Sequence, residues 1–291
     1  MSGLGQLAVG DIDGDGRPEM VAVTVNKLIA FEHDGSFKWL SPTLDASVSL
    51  GTGAPFLADL DGDGLGEVVI GRQVLNSDGT LRWTGAGASR GDHGGSGPHS
   101  IVADLDLDGV PEVLVGNTAY RGSGPQQGQI LWQHTDLPDG GPAVANFDDD
   151  PYPEIVLVSQ NRMWLLDHTG GVKWGPLTLP GNGAIASITL ADVDGDGRPE
   201  IAAGTRFSFS LVDSGFVRWT VPTVQGTTGV NAGPSAAAFD FDGDGASELV
   251  IADETSLRIL RGRDGAVLAS APAATCIVGR GYPVVADLDS D

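Results

Sequence analysis

The chain has 291 residues, a formal charge of −23, 41% hydrophobic residues and 44 glycines. Acidity on that scale excludes a nucleic-acid role, because nothing here could neutralise phosphates, and it repels anionic membrane surfaces. No apolar run approaches the ~20 residues that a bilayer span needs, and the single cysteine, Cys276, leaves no internal disulfide framework.

From the N-terminus, QLAVG (6–10) reads as a strand and DIDGDGRPE (11–19) as an acidic loop leading straight into an apolar run. LIAFEHDG (28–35) is a third strand with its turn, and FKW (37–39) a fourth strand. The acidic loop then returns as DLDGDGLGE (59–67), DLDLDGVPE (104–112), NFDDDPYPE (146–154), DVDGDGRPE (192–200) and DFDGDGASE (240–248). A seventh copy, DLDSD, opens at Asp287 and stops at Asp291.

Each loop follows a short apolar run ending in a small residue, such as PFLA before Asp59, SIVA before Asp104 or PVVA before Asp287. Each complete one precedes an apolar, mostly β-branched run, such as VVIG (68–71), VLVG (113–116), IVLV (155–158) or LVIA (249–252). The fourth strand usually ends in tryptophan: Trp39, Trp83, Trp132, Trp174 and Trp219. Four short strands in roughly 46 residues is the pattern of a β-propeller blade. The small residues suit an innermost strand near a crowded axis, and the tryptophans suit an outer strand filling the gap between neighbouring blades. No segment sustains a 3.6-residue period, so a helical reading fails.

The expectation is therefore an all-β fold, a β-propeller of four-stranded blades forming one domain over 1–291. Blades begin near 6, 54, 99, 142, 187, 235 and 282. Six are complete and only the first strand of a seventh is present, so a seven-bladed parent cut short at its C-terminus is expected, within a larger secreted or surface protein.

Numbering each loop from its first residue, carboxylates recur at positions 1, 3, 5 and 9, with glycine at 6. Alternating carboxylates in one tight turn can point inward together, glycine at 6 takes φ > 0 at little cost, and the carbonyl of residue 7 turns toward the same point. This all-oxygen, highly charged set suits Ca²⁺ and is poor for zinc or copper. The candidate ligands are Asp11, Asp13, Asp15, Arg17 and Glu19 in loop 1; Asp59, Asp61, Asp63, Leu65 and Glu67 in loop 2; and Asp104, Asp106, Asp108, Val110 and Glu112 in loop 3. Loop 4 offers Asn146, Asp148, Asp150, Tyr152 and Glu154; loop 5 Asp192, Asp194, Asp196, Arg198 and Glu200; loop 6 Asp240, Asp242, Asp244, Ala246 and Glu248. The incomplete loop 7 has Asp287, Asp289 and Asp291. Residues at position 7 (Arg17, Leu65, Val110, Tyr152, Arg198, Ala246) would act through their carbonyls. Pro151 replaces the glycine of loop 4 and cannot imitate its turn, so that site is expected to be distorted. Five or six Ca²⁺ sites are expected.

Blades of this length carrying D-x-D-x-D-G-x-x-[DE] resemble the FG-GAP/VCBS repeats of integrin α-subunits and many bacterial secreted proteins, and GAPFLADLDGDG (53–64) even keeps a Gly-Ala-Pro before the loop. The resemblance covers essentially the whole chain. It implies a calcium-bearing, extracellular β-propeller, often in adhesion or carbohydrate contexts. The turns DGSFKW (34–39) and DGTLRW (78–83) are also similar to repeats of quinoprotein-type propellers.

In a four-stranded blade the first and third connections share one end and the second connection and blade crossovers share the other. The longer segments expected opposite the acidic loops are 41–54, 84–100, 117–128, 175–187 and 220–234, and loops on a rigid scaffold are the usual place for recognition. A protein or glycan ligand is expected there. The glycine-rich segment 84–100 holds Arg90, Asp92, His93 and His99, and its Arg-Gly-Asp run reads as a chance tripeptide. His33, His134 and His168 read as structural or solvated. No serine-hydrolase, zinc-protease or Cys-His signature is present, so no catalytic residue is nominated. The expected function is a calcium-stabilised binding or adhesion module. The enzyme alternative is a calcium-dependent polysaccharide lyase of rhamnogalacturonan type, which would need a basic residue beside a calcium-bound uronate.

Overall fold

A computed structural model of the chain describes residues 6–45, 53–91, 98–183, 185, 188–224, 233–273 and 283–286. Four-stranded antiparallel sheets, six in all among these residues, follow one another along the sequence, each with its strands in simple meander order. The first sheet comprises β1 (Leu7–Gly10), β2 (Glu19–Val23), β3 (Leu28–Phe31) and β4 (Phe37–Leu40). The second has β5 (Phe56–Ala58), β6 (Glu67–Ile70), β7 (Gln73–Leu75) and β8 (Leu81–Thr84), and the third β9 (Ser100–Ala103), β10 (Glu112–Val115), β11 (Thr118–Arg121) and β12 (Ile130–Gln133). The fourth has β13 (Gly141–Ala145), β14 (Glu154–Ser159), β15 (Arg162–Leu166) and β16 (Val172–Thr178). The fifth has β17 (Ile188–Ala191), β18 (Glu200–Thr205), β19 (Ser208–Asp213) and β20 (Phe216–Pro222), and the sixth β21 (Ala236–Phe239), β22 (Glu248–Ala252), β23 (Ser256–Leu260) and β24 (Val267–Pro272).

These are sheets of propeller-blade type, as the repeat spacing predicts. They fall into two compact units, Met1–Val144 with Asp167–Gly171, and Ala145–Leu166 with Val172–Asp291. Residues 283–286 carry no strand, and loop 7 with Asp287, Asp289 and Asp291 lies outside the described residues.

The second strand of the second to sixth sheets is buried on both faces, which is why its sequence is a continuous apolar run and not an alternation, while β2 alternates buried and half-buried residues. In the first unit Ile12, Val21 and Leu28 of the first repeat pack with Val68, Ile70 and Leu75 of the second. Leu60, Val69 and Val74 pack in turn with Val113, Val115 and Tyr120 of the third. In the second unit Val193, Phe209 and Leu211 pack with Leu249, Ile251 and Leu260. Each such side chain contributes about 1.5–3 kcal/mol on full burial, so contact between consecutive sheets stabilises both units.

The third and fourth strands of every sheet share one irregularity. Ala30 pairs with Trp39 and Phe31 with Phe37, leaving Lys38 bulged out of register. The bulged residue is Arg82 in the second sheet, Leu131 in the third and Lys173 in the fourth. It is Arg218 in the fifth and Leu268 in the sixth. A bulge re-aims a side chain, and here it separates that residue from the tryptophan that follows it.

One expected connection is corrected. Segment 117–128 was expected opposite the acidic loops, but residues 118–121 are strand β11 and 122–129 join β11 to β12, with a 3-10 turn at Gly124–Gln126. This connection shares the acidic-loop end. The physical reason is Gly116, whose left-handed φ of 55° lets β10 and β11 meet in a tight turn, so the extra residues belong to the next hairpin. Likewise β16 runs to Thr178 and β20 to Pro222, which shortens the connections expected from 175 and 220.

Candidate metal-binding loops

All six complete acidic loops join the first strand of a sheet to its second, and position 9 is the first residue of that second strand. Loops 1, 2, 3, 5 and 6 share one hydrogen-bonding scheme. The carboxylate at position 1 accepts backbone N–H groups from across the turn: Gly14 and Gly16 donate to Asp11, each at 2.8 Å, and Gly62 and Gly64 to Asp59 at 2.7 and 2.9 Å. Asp192 and Asp240 are satisfied in the same way. These N–H groups, Gly245 first, hold Asp240 below the ordinary carboxylate range. Burial pushes Asp192 the other way, but the N–H groups of Gly197 and Gly195 prevail and its pKa is lowered. At position 5 one oxygen accepts the N–H of position 7, as from Arg17 to Asp15 and from Val110 to Asp108, both at 2.8 Å.

Glycine at position 6 has φ between 82° and 88° in loops 1, 2, 3, 5 and 6. Position 4 is left-handed as well, through Gly14, Gly62, Gly195 and Gly243, and in loop 3 through Leu107 at 59°. Loop 4 is built differently. Asn146 donates from its amide to the carbonyl of Asp150 at 2.7 Å and accepts the N–H of Asp148 at 3.1 Å, in place of the glycine amides.

Position 9 is the most constant feature. Glu19, Glu67, Glu112, Glu154, Glu200 and Glu248 are all buried. In each, Oε2 accepts the backbone N–H of position 2: Ile12 (3.0 Å), Leu60 (2.9 Å), Leu105 (3.0 Å), Phe147 (2.8 Å), Val193 (2.9 Å) and Phe241 (3.0 Å). Burial pushes Glu112 and Glu200 up to about 7 and raises Glu67 as well. The glutamate is thus the closing strap of the hairpin, and in loops 2, 3 and 5 burial also makes it reluctant to ionise without a cation near it.

Carboxylates at positions 1, 3 and 5 converge in loop 1 (Asp11, Asp13, Asp15) and loop 3 (Asp104, Asp106, Asp108), with ligand oxygens within 4.8 Å of one another. Asp59, Asp61 and Glu67 converge in loop 2, and Asp148, Asp150 and Glu154 in loop 4. These groups could hold metal ions. Three carboxylate oxygens, Glu19 Oε1, Asp106 Oδ1 and Asp194 Oδ1, are buried without a hydrogen-bond partner. An orphaned buried acceptor is costly, and a cation in the loop would satisfy it, so the donor set fits a hard divalent ion.

Residues 11–70 and 146–203 match the FG-GAP-like repeat family. These two stretches are FG-GAP-like repeats. No curated protein matches it by sequence. By structure it is similar to the V. cholerae biofilm matrix protein Bap1, 17% identical with a TM-score of 0.71 over 92% of this chain and 69% of that one. It is also similar to the exotype rhamnogalacturonan lyase YesX (18% identical, TM-score 0.64) and the rhamnogalacturonan lyase YesW (21%, 0.62), each over 92% of this chain. The chain spans 57% of the length of either lyase. At these identities the likeness is one of fold.

Three positions of the FG-GAP-like repeat did not emerge from the sequence as site residues. Position 2 is an apolar plug, with Ile12, Leu60, Leu105 and Val193 all at most 1% exposed; its signal was the apolar residue between the first two aspartates. Position 4 needs a left-handed backbone, signalled by the first glycine of D-G-D-G. The third is the lysine or arginine before the fourth-strand tryptophan, which reaches back to the acidic loop. Lys38 meets Asp13 at 2.6 Å, and Arg82 meets Asp61 at 2.5 Å and Glu67 at 3.0 Å.

Much of the expected ligand surface, including Asp92, His93 and residues 46–52 and 225–232, lies outside the described residues. Arg90 is exposed, and the N–H groups of Arg90 and Gly91 are held by Asp139 at 2.8 and 3.1 Å. In the second unit a cavity of about 390 Å³ opens at the acidic-loop end, walled by Asp148, Lys173, Trp174, Asp194, Glu200 and Arg218 among others. No helix among the described residues is long and apolar enough to cross a membrane.

Proposed function

We propose that the chain is a calcium-stabilised extracellular module that binds a protein or carbohydrate ligand, in adhesion. The observation that carries the calcium part is the set of buried carboxylate oxygens without a donor, Glu19 Oε1, Asp106 Oδ1 and Asp194 Oδ1, in loops whose ligating atoms are all oxygen. Oxygen-only shells favour calcium over zinc or copper. Asp11, Asp13 and Asp15, Asp59, Asp61 and Asp63, Asp104, Asp106 and Asp108, Asp192, Asp194 and Asp196, and Asp240, Asp242 and Asp244 would hold the ions, with the carbonyls of Arg17, Leu65, Val110, Arg198 and Ala246. Bound calcium supplies positive charge to turns that otherwise crowd carboxylates together.

The adhesion part draws support from the similarity to a biofilm matrix protein over 92% of this chain. Recognition would fall on connections at the end of each sheet away from the acidic loops, where Arg90 is exposed. Equilibrium dialysis with calcium, followed by a glycan array with and without chelator, tests the reading. About five bound ions per chain and calcium-dependent retention of a glycan or protein are expected; no bound calcium overturns it.

The likeness to two rhamnogalacturonan lyases supports a second reading, a carbohydrate-active domain. Release of unsaturated uronides from rhamnogalacturonan would establish it in place of the first.

A further inference from the structure

We propose that a base on the third or fourth strand is a resident counter-cation that ties position 9 of its own sheet's acidic loop without metal in loops 2, 3 and 4, so that calcium dependence is concentrated in loops 1, 5 and 6. This rests on the calcium reading above and adds to it a ranking of the loops.

The bulge recurs at the same place in all six sheets, on the residue before the tryptophan position. Where that residue is basic, the bulge aims it at the loop. Arg82 forks between position 3 and position 9, on Asp61 and Glu67. Lys173 does the same with Asp148 and with Glu154 at 2.9 Å. Lys38 takes position 3, Asp13, together with Glu32. Since Oε2 of position 9 is already committed to a backbone N–H, the base in loops 2 and 4 satisfies the remaining oxygen. Charge-assisted bonds of this kind tie both sides of the hairpin.

The third sheet tests the logic within the same molecule. Its bulge carries Leu131, and Arg121, at the end of β11 opposite Glu112, supplies the cation instead. It reaches Asp106 at 3.2 Å, Glu112 at 3.4 Å and Asp108 at 3.8 Å. In loops 2, 3 and 4 a base of the same sheet therefore reaches position 9.

In loops 1, 5 and 6 none does. Lys38 pairs with Asp13 and Glu32, and Arg218 likewise with Asp194, at 3.7 Å, and Asp213, but among the described residues no ion pair reaches Glu19 or Glu200. In the sixth sheet the bulge holds Leu268, 47% exposed. In the turn from β23 to β24, Arg263 meets position 5, Asp244, at 3.1 Å and Arg261 pairs with Asp264, and among the described residues no ion pair reaches Asp242 or Glu248.

Hydrogen–deuterium exchange on the 291-residue chain, in calcium and after chelation, decides the matter. Chelation should raise exchange in 11–19, 192–200 and 240–248 about tenfold more than in 59–67 and 104–112, as locally unstable segments open first. Arg82→Met should make 59–67 as calcium-dependent as loop 6, with Arg82→Lys restoring wild-type behaviour. Leu268→Lys should lower the calcium dependence of 240–248, and it keeps the test open if Arg82→Met does not fold. An equal response in all loops, or no response to Leu268→Lys, overturns the inference. A wild-type chain that binds no calcium overturns the calcium reading instead, so the two failures are distinguishable.

Discussion

Trp39 closes directly on Gly79: a Cβ at Gly79 would lie 2.5 Å from the indole Cδ2, and the indole N–H donates to the carbonyl of Ser77 at 2.8 Å. The tryptophan of one repeat thus seals against the turn of the next. Trp83 meets Gly128 and Gly122, and Trp219 meets Gly265 and Gly262, in the same way. The relation explains why the turn needs glycine twice over, for its left-handed φ and for the ring above it.

Gly79→Ala should therefore destabilise more than Gly35→Ala. Both glycines have φ near 80°, but nothing lies within 4 Å of a Cβ at Gly35. The left-handed backbone alone costs about 1–2 kcal/mol, and overpacking against Trp39 adds about 1–3 kcal/mol. Urea unfolding of the two variants measures the difference; equal losses would mean the indole moves aside freely.

Leu107→Gly should stabilise the chain. Leu107 is 51% exposed and holds φ of 59° where the other D-G-D-G loops have glycine. Relieving a left-handed residue returns about 1–2 kcal/mol, from which glycine's greater unfolded-state entropy removes about 0.5–1 kcal/mol. A rise in Tm is the expected reading, and a fall would show that the leucine side chain packs usefully.

Asp59→Ala should remove one calcium ion and also weaken the metal-free chain. Asp59 accepts the N–H groups of Gly62, Asp63 and Gly64 at 2.7, 3.2 and 2.9 Å. Losing a capping carboxylate costs about 0.5–2 kcal/mol. Thermal unfolding in chelator should show that loss, and calcium stoichiometry the missing ion.

Asp253→Asn should cost stability at neutral pH and progressively less in acid. Asp253 is 2% exposed. Burial pushes its pKa up, but the N–H groups of Thr255, Val224 and Ser256 outweigh it and the net shift is downward. Arg258 pairs with it at 2.9 Å. A carboxylate with a depressed folded pKa contributes stability above its unfolded value, near 3.9, and loses it as pH falls through the folded value. Leaving Arg258 without its charge partner should cost about 3–5 kcal/mol at pH 7. The gap between variant and wild type should narrow below about pH 4; a gap independent of pH would place the effect in packing.

Sheet order, loop position and the repeat itself were legible because a blade is built from local hairpins. Each apolar run meets its neighbour in sequence, and the D-x-D-x-D-G turn dictates its own backbone. The Glu67 strap on the Leu60 N–H could also have been anticipated, since seven residues separate them across one turn. The 122–129 hairpin was misplaced because a glycine-rich stretch does not say which of two adjacent turns is tight. The role of Arg82 was hidden for a different reason. It stands next to Trp83 in a strand, and alternation alone would treat it as a solvated neighbour.

The sequence by itself determined the number of acidic loops, their place between first and second strands, and the oxygen chemistry they offer, because these follow from residue type at fixed short spacing. Only the tertiary structure decided which carboxylates already have a cation. A bulge shifts register by one residue, and that shift brings Arg82 and Lys173 onto a loop some twenty residues away in the chain while leaving Leu268 in the same position with nothing to offer loop 6.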